Sequence, residues 1–154
     1  MLQIGHKAPS FKGINQNSET VSLSDFKGKK VILYFYPKDN TPGCTVEACS
    51  LNDKTAYFLE KGIVVIGVSA DSVQSHLKFA DKFGLTFNLI SDTEKEIIQA
   101  YEVWGEKKNY GKSYMGIIRT TFVISEEGII EAIFPKVDTK THAEQIIKAL
   151  GLEL

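Results

Sequence analysis

Six apolar residues in a row, Val31-Ile32-Leu33-Tyr34-Phe35-Tyr36, constrain this chain more than any other feature. A run this short, rich in β-branched and aromatic side chains and without polar alternation, suits a strand covered on both faces. Pro37 cannot donate to a sheet ladder and ends the strand. Thr41-Pro42 then has the form of a helix start, with the hydroxyl at the N-cap and proline at the first helical position. Cys44 falls in the first turn, where free N–H groups and the helix dipole favour an anion. The thiolate is the nucleophilic form of cysteine, so this strand–helix corner is also a candidate reactive site. Cys49 follows five residues later, and the chain has no other cysteine.

The remaining pattern alternates strand and helix. The helix from Pro42 is expected to run over 42–61 and stop at Gly62. Residues 63–69 form a second unbroken apolar run, as in a parallel strand. Asp71-Ser72 can cap a helix through Phe83, with Leu77, Ala80 and Phe83 (or Phe79) inward and Gly84 ending it. A short strand over 87–90 leads to Ser91-Asp92-Thr93-Glu94, whose capping-box spacing opens a helix containing Ile97, Ile98 and Tyr101. Near the N-terminus, Gly13-Ile14 and Thr20-Val21-Ser22-Leu23 flank a polar turn, an edge hairpin. Residues 24–28 read as a single helical turn. Residues 104–116, glycine-bearing and charged, read as a long surface loop. Residues 120–124 and 129–134 flank the hairpin chemistry Ser125-Glu126-Glu127-Gly128, and 141–150 is a closing amphipathic helix. The class is therefore α/β, a sheet with helices on both faces, in one domain over 1–154.

Composition excludes more than it selects. A net charge of -1 gives no reason to expect nucleic acid or an anionic membrane as partner. No apolar run approaches the roughly 20 residues of a membrane span, and the N-terminus has no signal-peptide pattern, so the expected location is the cytoplasm. There a cysteine pair is more often catalytic or metal-binding than structural. His6, His76 and His142 are scattered and read as solvated surface. With two cysteines and no paired histidine motif, no zinc site is expected, and no glycine-rich phosphate loop follows a strand. No cofactor or metal is therefore expected. Glu47 reads as part of a solvated helix face, and Tyr36, Tyr114 and Trp104 as packing. Of the 18 basic residues, 17 are lysine and one is arginine, Arg119, which opens an apolar strand-like run. Its planar fork and weak hydration suit fixed contacts to anions.

The pattern Pro37-x-x-x-Thr41-x-x-Cys44 resembles the peroxidatic motif of the peroxiredoxins. The second cysteine after four intervening residues resembles the bacterioferritin-comigratory (PrxQ-type) subfamily. Trp104-Gly105-Glu106-Lys107 and Gly116-Ile117-Ile118-Arg119-Thr120-Thr121-Phe122 resemble it too. The resemblance implies a thioredoxin-like fold with a central mixed sheet. It also implies a thiol peroxidase that converts hydrogen peroxide and organic hydroperoxides to water and alcohols, recycled by thioredoxin. Asn52 departs from the pattern, which has an arginine there.

Chemistry assigns roles within that resemblance. Cys44 would attack the peroxide and become a sulfenic acid, which over-oxidises unless a second thiol condenses with it. Cys49 is the only internal candidate, its rival role being a plain core residue. Shifting a thiol by about 2.5 pKa units takes ~3.4 kcal/mol, and a helix N-terminus contributes at most about 2. A unit charge at 4 Å is worth ~4 kcal/mol at an effective dielectric of 20. Arg119 is the expected cation, on a strand that the implied fold places beside the one delivering Cys44. With the N–H groups of Gly43 and Cys44 and the hydroxyl of Thr41, it would hold and polarise the peroxide. Pro37, Pro42 and Gly43 would shape the pocket. No dimer contact is signalled, so a monomer is expected. Two other readings use the same residues: a thioredoxin-like disulfide reductase, disfavoured because such enzymes use Cys-x-x-Cys, and a redox-sensing binding module.

Overall fold

The apolar run lies at the heart of a mixed sheet, in a computed structural model that describes residues 2–152, with Asn109 described by its backbone alone. The chain runs β1 (Lys12–Ile14), β2 (Thr20–Ser22), a 3₁₀ turn (Leu23–Phe26), β3 (Lys30–Phe35), α1 (Pro42–Asp53), α2 (Thr55–Glu60) and β4 (Ile63–Ser69). It continues through α3 (Val73–Phe83), β5 (Asn88–Ser91), α4 (Glu96–Ala100), β6 (Trp104–Asn109) and β7 (Lys112–Ile117). The last elements are β8 (Thr120–Ile124), β9 (Ile130–Phe134) and α5 (His142–Ala149). Seven strands order as β2-β1-β5-β4-β3-β8-β9. The inner three, β3, β4 and β5, are parallel, and the flanking pairings are antiparallel.

The unbroken apolar character of β3 has a direct cause. Ile32, Tyr34 and Tyr36 enter one core with α1, α2, α3 and α5. Val31, Leu33 and Phe35 enter a second core with α4 and the N-terminal segments. Alternate side chains point to opposite faces of a sheet, so both sets must be apolar. Helices thus cover both faces, as expected, although most lie on the Cys44 side.

Several local readings need correction. The helix over 42–61 is two helices, broken at Lys54 (φ −108°, ψ 8°) after the poor helix formers Asn52 and Asp53. In α3 the inward stripe is His76, Phe79 and Ala80, while Leu77 is 41% exposed. One step of helix phase separates the two readings, and burial of the polar His76 decides it. The helix after Ser91 starts only at Glu96, and the Asp92 carboxylate instead accepts the Ile98 N–H at 2.8 Å. Residues 104–116 are no loop: β6 and β7 pair in register from Trp104↔Ile117 to Asn109↔Lys112. Tyr110 (φ 53°) and Gly111 (φ 78°) make the tight two-residue turn, both in the left-handed region such a hairpin requires. Its charged, largely exposed strands hide the alternation by which a strand is normally read.

Candidate active site

The corner between β3 and α1 is built as its residue types dictate. Thr41 is extended (φ −96°, ψ 156°), Pro42 opens the helix, and Cys44 sits in the first turn. Register then brings in a residue remote in sequence. Phe35, the last residue of β3, pairs with Thr120, the first of β8, so Arg119 arrives beside the start of α1. Its Nη2 donates to Cys44 Sγ at 3.3 Å. Cys44 is only 1% exposed, so the pairing operates with little solvent screening.

Arg119 Nη1 is held in turn by the carboxylate of Glu47. Glu47 is fully buried, contrary to the solvated face read from sequence. The signal was available: Cys44, Glu47, Ala48 and Leu51 fall at i, i+3, i+4 and i+7 and form the buried stripe of α1. Burial pushes the Glu47 carboxyl up to about 7, against the pull of Arg119. For Arg119, burial pulls downward, but Glu47 and Cys44 outweigh it and hold the guanidinium charged. Beneath the site, Tyr34 OH and Glu47 Oε2 are buried without a hydrogen-bond partner among the described residues. Gly67 makes room for that ring, since a β-carbon there would lie 2.9 Å from Tyr34.

His142 also proves buried instead of solvated. Its Nδ1 must donate to Gln145 Oε1 at 3.0 Å, which leaves Nε2 to accept the Thr121 hydroxyl at 2.8 Å. Nε2 is 3.7 Å from Glu47 Oε2. Burial lowers the imidazole to about 4, keeping it neutral.

The remaining site residues are placed as follows. The Thr41 hydroxyl does not cap the helix; it donates to the Lys38 carbonyl at 2.9 Å. Its single proton is thereby committed, so the hydroxyl cannot also donate to the peroxide or the sulfur. A β-carbon on Gly43 would lie 3.4 Å from Arg119 Nη2, so a longer side chain would compete with the guanidinium for space. Pro37 is half-buried and Pro42 exposed at the rim. Cys49 lies off the buried stripe, half-buried and unbonded, which weakens the core reading. Burial, and then Asp53, raises its thiol pKa. Asn52, standing where an arginine was expected, staples α1 to the segment after α3. Its Nδ2 donates to Gly84 O at 3.0 Å, and its Oδ1 accepts the Thr86 N–H at 2.9 Å. Lys107, hidden in the presumed loop, donates to the Ile117 carbonyl at 3.0 Å. Burial and the nearby Arg119 lower its pKa, with Cys44 opposing.

A buried sulfur at a helix start, with a guanidinium on it, is equipped to attack a polarisable bond and steady the charge that results. The chain belongs to the AhpC/TSA family, whose model matches residues 4–133. It is 48% identical to peroxiredoxin Bcp of Bacillus subtilis, the match covering 97% of this chain and 95% of that one. Peroxiredoxin Bcp of Escherichia coli K12 is 41% identical, with 97% and 96% covered. A cysteine-to-serine variant of Xylella fastidiosa PrxQ matches the fold with a TM-score of 0.92 at 35% identity, covering 98% and 96% of the two chains. The bacterioferritin comigratory protein of Xanthomonas campestris, solved as trapped intermediate and ligand complexes bearing on alkyl peroxide reduction, matches at 0.85 and 37%, covering 92% and 90%. Within its family this chain is a peroxiredoxin of the Bcp/PrxQ branch, a thiol peroxidase that draws its electrons from a thioredoxin-type reductant.

Two buried groups give the site opposite pH signatures. Glu47 is raised from 4.5 to about 7, so its contribution is complete below pH 4.5 and lost as the pH rises through 7. His142 is lowered from 6.5 to about 4, so its contribution is complete above pH 6.5 and lost as the pH falls through 4. Each is worth up to about 3 kcal/mol at 1.36 per unit, and in the wild type they oppose each other. Relative to wild type, Glu47→Gln should therefore gain stability as the pH rises from 4.5 to 7. His142→Gln should gain it as the pH falls from 6.5 to 4. Urea midpoints across this range read both slopes; parallel curves for all three proteins would refute the assignment.

Proposed function

We propose that Cys44 is the peroxidatic nucleophile, Arg119 its activator and peroxide clamp, and Cys49 the resolving thiol, in one domain over 1–154. The observation that carries this is the guanidinium donating to Cys44 Sγ at 3.3 Å in the first turn of α1. The Cys44 thiolate attacks one oxygen of the hydroperoxide. The O–O bond breaks, and the other oxygen leaves as water or alcohol, taking a proton. Arg119 and the N–H groups of Gly43 and Cys44 stabilise the charge on the departing oxygen. The Thr41 hydroxyl, its proton given to Lys38 O, offers a lone pair to the peroxide O–H. Pro37, Pro42 and Gly43 wall the pocket. The Cys49 thiol then displaces water from the Cys44 sulfenic acid, and an external dithiol, thioredoxin in the cytoplasm, reduces the disulfide.

The resolving step requires a change of structure. Cys44 and Cys49 share α1, so helical geometry sets their Cα atoms about 8.6 Å apart and ~140° around the axis. A disulfide needs Cα atoms within roughly 7 Å and side chains that face each other. The start of α1 must unwind. A 12-residue helix, broken on its C-terminal side at Lys54, is short enough for that opening to be low in energy. One equivalent of hydrogen peroxide is expected to give an intramolecular Cys44–Cys49 disulfide in a monomer, with less helix and faster amide exchange over 41–52. A disulfide-linked dimer, or unchanged exchange there, would return Cys49 to the role of a packing residue.

A further inference from the structure

A second buried polar cluster, untouched by the chemistry at Cys44, underlies the loop that delivers it. Asp39 lies in the connection between β3 and α1, next to Asn40, whose φ of 59° is left-handed. Three groups converge on its carboxylate. Tyr36 OH donates to Oδ1 at 2.6 Å, while Ser75 Oγ and His76 Nδ1 approach Oδ2, each at 2.7 Å. The Asp39 backbone N–H donates to Asp71 Oδ2 at 2.9 Å, an oxygen that also accepts the Ser69 hydroxyl at 2.6 Å. His76, in the first turn of α3, is 0% exposed.

The partners of His76 settle its protons. Nε2 faces the Ile90 carbonyl at 3.0 Å. A carbonyl only accepts, so Nε2 carries a hydrogen. Nδ1 lies 2.7 Å from a carboxylate oxygen, and two lone pairs at that distance would repel, so a proton lies between them. The two hydroxyls that already donate to this carboxylate, from Tyr36 and Ser75, favour its ionised form, which places that proton on the ring. The charged and titratable groups facing His76 are Asp39 from the β3–α1 loop, Asp71 from the β4–α3 loop and Tyr36 after β3, 3.4 Å from Nδ1. From β5 comes the Ile90 carbonyl. No other cation is part of the cluster among the described residues.

We propose that His76 is a buried imidazolium paired with the Asp39 carboxylate, and that this pair is the positioning element that sets the start of the Cys44 helix. Asp39 is clamped by both its side chain and its backbone, while Thr41 bonds back to Lys38. The direction in which the chain enters α1 is therefore decided between Lys38 and Thr41. Cys44 must meet Arg119 and the peroxide in line, and a displacement of about 1 Å can cost ~10²-fold in rate. The pair also marks where unwinding stops: the helix start beyond Thr41 can open while Asp39 stays anchored on α3. The catalytic half of this inference rests on the reading of Cys44 given above; the protonation half does not.

Two measurements test it. In the reduced wild-type protein, nitrogen-15 NMR of the His76 ring should show both nitrogens protonated at neutral pH. A lone-pair nitrogen at neutral pH overturns the ion pair, whatever Cys44 does, and needs no variant that must fold. The second-order rate with hydrogen peroxide is then measured for Asp39→Asn, His76→Gln and the double variant. Each single change is expected to slow the folded protein about tenfold, and the double no more than either alone, because both remove one interaction. Losses that multiply, or variants that melt earlier but react at the wild-type rate, overturn the positioning role. If wild type itself consumes no peroxide, the functional reading fails and the NMR result still stands by itself.

Discussion

Cys44→Ser is expected to abolish peroxide consumption, by roughly 10⁴-fold or more, the scale on which loss of a covalent nucleophile leaves only background reaction. A serine hydroxyl at this position would sit on the same guanidinium, yet it forms no thiolate-like nucleophile near neutral pH. Nor can the remaining cysteine take over. Cys49 lies off the stripe that faces Arg119, and burial raises its thiol pKa, which disfavours the reactive form. Stopped-flow mixing with hydrogen peroxide and an alkyl hydroperoxide reads the loss directly. Cys49→Ser provides the contrast: its first turnover should survive, and only the disulfide should fail to form. Near-normal turnover by Cys44→Ser would sink the assignment.

The second large effect belongs to Arg119→Lys. The charge is kept, so a purely Coulombic role would be preserved. What disappears is the fork: Nη1 is held by Glu47 while Nη2 donates to Cys44 Sγ. One ammonium cannot reproduce both contacts along the lines a planar guanidinium provides. Loss of one preorganised donor typically costs ~10²–10³-fold, and a loss of about 10² is expected here in the second-order rate with peroxide. Lysine is a better probe than alanine. Removing the cation would leave Glu47 buried without its partner, at a cost of about 3–5 kcal/mol, and the protein would be tested for folding instead of catalysis. An unchanged rate would reduce Arg119 to a structural residue.

The strand–helix corner was legible because its rules are local. Proline stops a ladder, threonine and proline begin a helix, and a residue three places into the helix meets free N–H groups whatever surrounds them. Within fourteen residues, from Val31 to Cys44, the sequence carries both the central strand and the proposed nucleophile. Arg119 could be nominated from its rarity, but its contact with Cys44, 75 residues away, depends on the pairing of β3 with β8.

Glu47, His76 and His142 were misread for one common reason. A polar residue is assigned to solvent because burying it unpaired is costly, and its partner cannot be seen along the chain. Glu47 is 72 residues from Arg119, His76 is 37 from Asp39, and His142 is 21 from Thr121. Apolar periodicity counts such positions as interruptions, whereas in the fold they lie within the buried stripes of α1, α3 and α5. The sequence alone determined most of the elements, the strand–helix corner that holds Cys44 and the family resemblance, since these follow from short-range stereochemistry. The tertiary structure decided which charges are buried and with whom, because that cost is offset only by partners brought in from other elements.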